Sequence, residues 1–263
     1  LVTRVAYAAD EKKIIVETAD KSGNAVVAAV DESGTILWSW HLWLTSADLE
    51  GSLHRYALPY EGLGAAAVMD RNLGALAAAW LGADNASSYG MFYQWGRKDP
   101  FAGGDGEEDI YTADTEWTLA RKTTVMNGEY EWRINYTESD RTMDYATANP
   151  TVMLGDYQGG TWLATADNGL WGAVKTEYDP CPPGYRVPEI DFGVDFTTDY
   201  SPQPGVSDMF LSGDTYGIVY THEGRRHFWP LGGQRWGDMD RGCYTNLNFV
   251  GCYWTCLLYT SPS

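Results

Sequence analysis

The stretch Asp179-Pro-Cys-Pro-Pro-Gly-Tyr-Arg-Val-Pro188 places four prolines in ten residues. Each proline fixes its own φ and removes an N–H, and the residue before it is pushed towards extended backbone. Regular helix is therefore forbidden here, and the path is extended, full of turns, and re-aims whatever follows. The same punctuation runs through the chain: 29 Gly and 11 Pro are set among 12 Trp and 18 Tyr. Aromatic residues favour a pleated surface and Gly and Pro interrupt helices, so the pattern predicts a loop-rich fold containing β-structure and few long helices. With 263 residues, 44% of them hydrophobic, the chain has enough apolar material for one large domain, or one domain with a short appendage, and its composition argues against intrinsic disorder.

Residues 12–18 and 24–30 read as short strands, and Asp31-Glu-Ser-Gly34 as a turn leading into a third strand over 35–44, which makes a β-hairpin. Trp38, Trp40 and Trp43 do not keep a strict alternation, so that strand is expected to be covered on both faces and internal. Further strands are expected at 67–69, before the turn Asp70-Arg-Asn-Leu-Gly74, and at 88–95. The acidic, glycine-rich stretch 103–109 reads as an exposed loop and 113–161 as a long insertion of loops and short pieces. Strands at 215–221 and 227–231 flank a His222-Glu-Gly-Arg turn, and a last strand begins at 251.

Eighteen Lys and Arg against 36 Asp and Glu give a formal charge of -18, which repels phosphate backbones and anionic membranes and argues against nucleic acid as a partner. An acidic surface is also an ordinary route to solubility. The longest apolar candidate, 65–81, is broken by Asp70, Arg71 and Asn72 and falls short of a membrane span. A signal peptide is expected upstream of Leu1.

Cys181, Cys243, Cys252 and Cys256 show no C-x-x-C spacing, which argues against a thiolate metal site. Residues 256–263 read as the in-frame translation of a sequencing adapter, so the natural sequence is expected to run to about Thr255 before the break, and Cys256 enters no chemical argument. Cys243 and Cys252 lie close enough in sequence to close a local disulfide in an oxidising compartment, with free or mispaired thiols as the alternative.

Catalytic groupings are sparse. His41, His54, His222 and His227 form no H-E-x-x-H pattern. His41, in a Trp-rich strand, reads as a packed residue, and His222 with Glu223 as a solvated hairpin tip. No Gly-x-Ser-x-Gly elbow occurs, and Ser212-Gly-Asp214 lacks a strand-to-helix setting. Glu107, Glu108 and Asp109 could supply paired carboxylates for glycoside hydrolysis, yet a contiguous acidic run beside glycines is ordinarily a solvated face. The expectation is a protein without catalytic residues.

Five motifs occur in a fixed order: Val68-Met-Asp-Arg-Asn-Leu-Gly-Ala75, Gly90-Met-Phe-Tyr-Gln-Trp-Gly-Arg-Lys-Asp-Pro-Phe101, Cys181-Pro-Pro-Gly-Tyr-Arg-Val-Pro188, Phe228-Trp-Pro-Leu-Gly-Gly-Gln-Arg235 and Gly251-Cys-Tyr-Trp-Thr255. Together they resemble the Fibrobacter succinogenes major paralogous domain, found in exported Bacteroidota proteins. The resemblance covers 38–255 and implies an α+β, C-type-lectin-like module related to the formylglycine-generating-enzyme fold, with a short two-helix framework and a twisted antiparallel sheet. Residues 1–37 then read as a β lead-in from an upstream fimbrillin-like or immunoglobulin-like domain, and 256–263 as adapter. It further implies that Cys181 pairs with a cysteine in a final strand beyond the break.

Two departures from the family pattern stand out: Glu189-Ile-Asp-Phe192 is followed by Gly-, Pro- and Thr-rich sequence where relatives carry a helix, and Cys243 and Cys252 flank Asn246-Leu-Asn-Phe249. The implied function is a cell-surface binding or adhesion module for a glycan or protein, carried on an exported lipoprotein. The alternative is a tip or assembly subunit of a fimbria-like structure that binds other pilus subunits, and an enzyme comes third. Ligand contacts are expected from Gln234, Arg235, Trp236, Asp238, Asp240, Tyr244, Asn246 and Asn248. Within that set Trp236 is the best candidate for an exposed ring, whereas Trp229 and Trp254 read as core. No cofactor is expected, although Asp238, Asp240, Asn246 and Asn248 offer the oxygens of a calcium site or, by default, of ordinary turn chemistry.

Overall fold

The computed structural model describes residues 1–56, 66–78, 86–101, 118–123, 128–155, 161–188, 207–210, 217–222, 225–235, 244–245, 251 and 253. Its first half opens with two consecutive hairpins. Strands β1 (Val2–Ala8) and β2 (Lys13–Thr18) pair antiparallel with Val5 opposite Val16 and Tyr7 opposite Ile14. Strands β3 (Gly23–Val30) and β4 (Ile36–Leu44) pair with Val27 opposite Trp40 and Ala29 opposite Trp38. Asp31 builds the connecting turn: its Oδ1 accepts from the backbone N–H groups of Ser33 and Thr35, both at 2.9 Å, and from the Ser33 hydroxyl at 2.6 Å. This is the side-chain-to-backbone bonding that makes aspartate a turn former.

β5 (His54–Tyr56) and β6 (Ala66–Val68) form a short antiparallel pair, followed by the single-turn helix α1 (Ala86–Tyr89). The aromatic segment after it is not the strand that its composition predicts. It makes one isolated bridge, Phe92 to Phe101. Gly90 and Gly96 hold φ of 75° and 82°, a left-handed conformation that glycine alone adopts without cost and that breaks a strand at both ends. At Gly96 a Cβ would also lie 2.6 Å from Leu170 Cδ1.

Within 113–161, read from sequence as loops and short pieces, lies more regular structure than expected. β7 (Thr118–Thr123) and β8 (Gly128–Asn135) form a hairpin, and β9 (Val152–Leu154) adds to β8 in parallel. A 3-10 turn (Glu138–Asp140) and helix α2 (Met143–Ala148) make the crossover. Thr142 caps α2 by accepting from the Tyr145 N–H at 3.2 Å, as a threonine before a helix should.

The last described part is a three-stranded antiparallel meander of β10 (Ser207–Phe210), β11 (Gly217–His222) and β12 (Arg225–Pro230), then the short pair β13 (Gln234–Arg235) and β14 (Tyr244–Thr245). The architecture is thus a set of small, mostly antiparallel hairpins with few and short helices. The described residues form several two- and three-stranded sheets rather than one twisted sheet. The main core packs Trp95, Leu154, Trp162, Leu163, Leu170 and Trp171 with Ala146 and Val187. The Trp95 and Trp171 rings meet at 5.7 Å in a tilted arrangement, a pairing that adds about 1 kcal/mol to what area burial supplies.

Three further expectations meet the structure differently. β4, expected to be internal, has β3 as its one strand partner among the described residues, and helix α2 together with loop residues lies against it instead. The boundary expected between residues 37 and 38 falls inside β4, and β3 is tied to the body through Asn24, whose Nδ2 donates to the Gly74 carbonyl at 2.8 Å. Of the expected last strand, Gly251 bridges Gly233 in parallel, while 103–109 and 189–192 lie outside the described residues. No described helix is long and apolar enough to cross a membrane.

Candidate functional site

β4 alternates, so Ser39, His41 and Trp43 fall on one side of the strand, and each reaches into the loops that cover it. The Trp43 indole N–H donates to the Ala75 carbonyl at 3.2 Å. The Ser39 hydroxyl donates to Asp99 Oδ1 at 2.5 Å, and Lys98 Nζ donates to Ser39 Oγ at 2.5 Å and to Asp99 Oδ1 at 2.8 Å. Lys98 also lies 4.5 Å from the centre of the Trp38 ring, an attractive cation–ring placement. Burial pulls the Lys98 amine below its ordinary pKa, and the Asp99 carboxylate opposes that pull.

Serine, lysine and aspartate in mutual contact resemble a nucleophile with its base. The geometry argues otherwise: Ser39 is 1% exposed, its proton points at Asp99, and an ammonium paired with a carboxylate has no lone pair with which to take it. The triangle is a lock between β4 and the loop after α1.

His41 makes a second lock. Asn24, having committed its Nδ2 to Gly74, presents Oδ1 to His41 Nε2 at 2.9 Å, and Tyr93 OH lies 2.9 Å from His41 Nδ1. The amide oxygen can only accept, so Nε2 carries the proton and Tyr93 donates to Nδ1. Burial lowers the His41 pKa from 6.5 to about 4. Between those values the unfolded chain binds a proton that the folded chain refuses, so stability is full above 6.5 and is lost as pH falls towards 4, by up to about 3 kcal/mol. Thermal unfolding followed from pH 7.5 to 4 should show this loss in the native chain and a shallower one in His41→Gln. Parallel curves contradict the assignment.

Two clamps hold the surrounding loops. Arg97 Nη1 donates to Gln94 Oε1 at 2.9 Å and to the Val152 carbonyl at 2.7 Å, while Nη2 faces the carbonyls of Ala146, Asn149 and Pro150 at 3.3–3.4 Å. Those carbonyls belong to the end of α2 and the turn after it, where helices leave acceptors unfilled and favour a positive charge. Gln94 completes the clamp, donating to the Leu154 carbonyl at 2.6 Å and accepting from its N–H at 3.1 Å.

In the proline-rich segment Asp179 Oδ1 accepts from the Cys181 N–H at 2.9 Å and from Lys175 Nζ at 2.8 Å, and Oδ2 accepts from the Val187 N–H at 2.9 Å. Prolines cannot donate, and one buried carboxylate takes two of the N–H groups that remain, while the Tyr185 N–H turns back to the Pro182 carbonyl. Burial first, and Asp179 second, push the Cys181 thiol far above its usual range, which makes it an unreactive, packed sulfur.

The expected ligand residues lie at the other end of the chain. β13 and β14 pair Gln234 with Thr245 and Arg235 with Tyr244, so three of the eight are brought side by side on the backbone, at the two ends of segment 236–243. Trp236, Asp238, Asp240, Asn246 and Asn248 lie outside the described residues, as do Cys243 and Cys252. Just before β13 in sequence, β12 contributes to an aromatic stack. His227 and Trp229 are buried with ring centres 4.6 Å apart, and Tyr253 meets Trp229 edge-on at 4.7 Å. The Tyr253 hydroxyl donates to the Pro230 carbonyl at 2.5 Å, and the residue is 41% exposed.

Sequence reasoning passed over Tyr253 and both β4 locks. The alternation of 39, 41 and 43 was the available signal for the locks, but Asp99 lies 60 residues from Ser39 and Tyr93 lies 52 from His41. Among the described residues no three His, Cys, Asp or Glu side chains gather as a metal site. No known family model, curated protein or solved structure matches the chain.

Proposed function

We propose that this chain is a binding or adhesion module, C-type-lectin-like in fold and without catalytic activity, which contacts a glycan or protein ligand through the region 234–248. The observation that carries the reading is the β13–β14 pairing, which fixes Arg235 opposite Tyr244 and anchors both ends of the segment holding Trp236, Asp238 and Asp240. Binding segments are commonly mounted on a rigid support, and the β13–β14 pairing fixes the backbone at both ends of this one. The buried groupings support a non-catalytic reading, since Ser39, Lys98 and Asp99 spend their hydrogen bonds on one another and His41 spends its two on Asn24 and Tyr93. The resemblance to the exported Bacteroidota domain adds the setting of the bacterial surface, on a lipoprotein.

The full chain, labelled and applied to an array of glycans and extracellular proteins with calcium and with chelator, should bind a restricted set of spots. Trp236→Ala is expected to weaken that binding by about tenfold or more, the scale of an aromatic anchor, with unfolding temperature unchanged. A folded chain that binds nothing, or that binds equally well as Trp236→Ala, contradicts the proposal. One observation favours the assembly reading instead: Val5, Tyr7 and Ile15 expose apolar surface on the first hairpin, which suits a protein partner.

A further inference from the structure

β1 and β2 pair with each other, and among the described residues no third strand joins them. Directly opposed residues share a face, so Val5, Val16, Tyr7 and Ile14 lie on one side and Ala6 with Ile15 on the other. Val5 is 48%, Tyr7 67% and Ile15 51% exposed. A two-stranded ribbon with apolar residues on both faces is marginal in water, and its outer edges are templates for a further strand.

The sequence of β2 specifies which strand. Placed antiparallel to a second copy of itself with Ile15 on the two-fold axis, Lys13-Ile-Ile-Val-Glu17 sets Lys13 against the partner's Glu17, Ile14 against the partner's Val16, and Ile15 against the partner's Ile15. Every opposed pair in this register has the same parity. It is therefore permitted whether the odd or the even residues turn their N–H and C=O groups outward. Sliding by two residues in either direction sets Ile15 against Lys13 or Glu17 and loses the charge pairing. Arg4 already donates to Glu17 at 2.9 Å, so the partner's Lys13 would complete an alternating row of charges.

The balance of charge over the whole chain agrees. Arg4, Lys12 and Lys13 cancel Asp10, Glu11 and Glu17, so the hairpin is formally neutral, while the chain carries -18. A formally neutral contact surface adds no net charge repulsion of its own when two copies meet.

We propose that the chain associates with a second copy of itself through β2, forming a continuous four-stranded antiparallel sheet in the order β1, β2, partner β2, partner β1. The contact is isologous and closes on itself. It joins Tyr7, Ile14, Val16 and Val5 of both copies into one apolar face.

Light scattering after size exclusion, on the full 263-residue chain over a wide concentration range, should give a mass rising from one chain towards two. Ile15→Lys sets like charges against each other at the axis and should weaken association by about tenfold or more. Lys13→Glu and Glu17→Lys should each weaken it alone, and an equimolar mixture of those two variants should restore it. Circular dichroism confirms that each variant folds. A native chain of single mass at every concentration, association unchanged by Ile15→Lys, or a mixture that fails to recover overturns the proposal.

Discussion

Arg97→Met is expected to lower stability by about 4 kcal/mol. Methionine approximates the length and apolar bulk of the side chain but cannot donate. The Val152 carbonyl and the Gln94 amide oxygen lose short bonds, and the carbonyls of Ala146, Asn149 and Pro150 lose their shared positive charge. The guanidinium also lies 5.1 Å from the Phe101 ring centre and 5.6 Å from that of Trp162, so its removal loosens the aromatic packing as well. Lysine should recover little, because one ammonium cannot serve acceptors that a planar fork reaches in two directions. Urea unfolding of native, Arg97→Met and Arg97→Lys chains checks this, and a loss below about 1 kcal/mol for Arg97→Met contradicts the clamp.

Lys98→Met should cost about 3 to 5 kcal/mol, because it strands the buried Asp99 carboxylate without its counter-charge. Replacing the whole triangle, with Lys98→Met, Asp99→Leu and Ser39→Ala together, should return most of that stability, since a packed apolar cluster avoids desolvating two charges. The same triple variant should leave ligand binding intact, because the lock lies on β4 and the proposed contacts lie on 234–248. A triple variant as unstable as Lys98→Met alone would show that volume, and not charge, governs the site.

The hairpin of β3 and β4 was legible in the sequence because alternation and the Asp31 turn are local signals, and β2 was read as a strand with ends close to those observed. Its partner β1 (Val2–Ala8) was passed over, so the first hairpin was not expected. The segment 88–95 misled because aromatic content suggests a strand, while the left-handed glycines at 90 and 96 decide the backbone. β7 and β9 were missed for a different reason. Thr118–Thr123 is mixed and polar, and Val152–Leu154 is three residues long, so neither carries a period. Lys98 and Asp99 are adjacent charges of the kind that ordinarily face solvent, and only the fold brings Ser39 to them. In the candidate site, the sequence named Arg235 and Tyr244 as neighbours in function. Their pairing across a ladder is a fact of register that no local pattern carries.

Hydrogen–deuterium exchange of the full chain, alone and with whichever array ligand binds most strongly, tests the proposed binding surface most directly. Slowed exchange confined to peptides spanning 234–248, with the ligand recovered chemically unchanged, is the expected result. Protection elsewhere with none in 234–248, or a ligand recovered cleaved or modified, contradicts it.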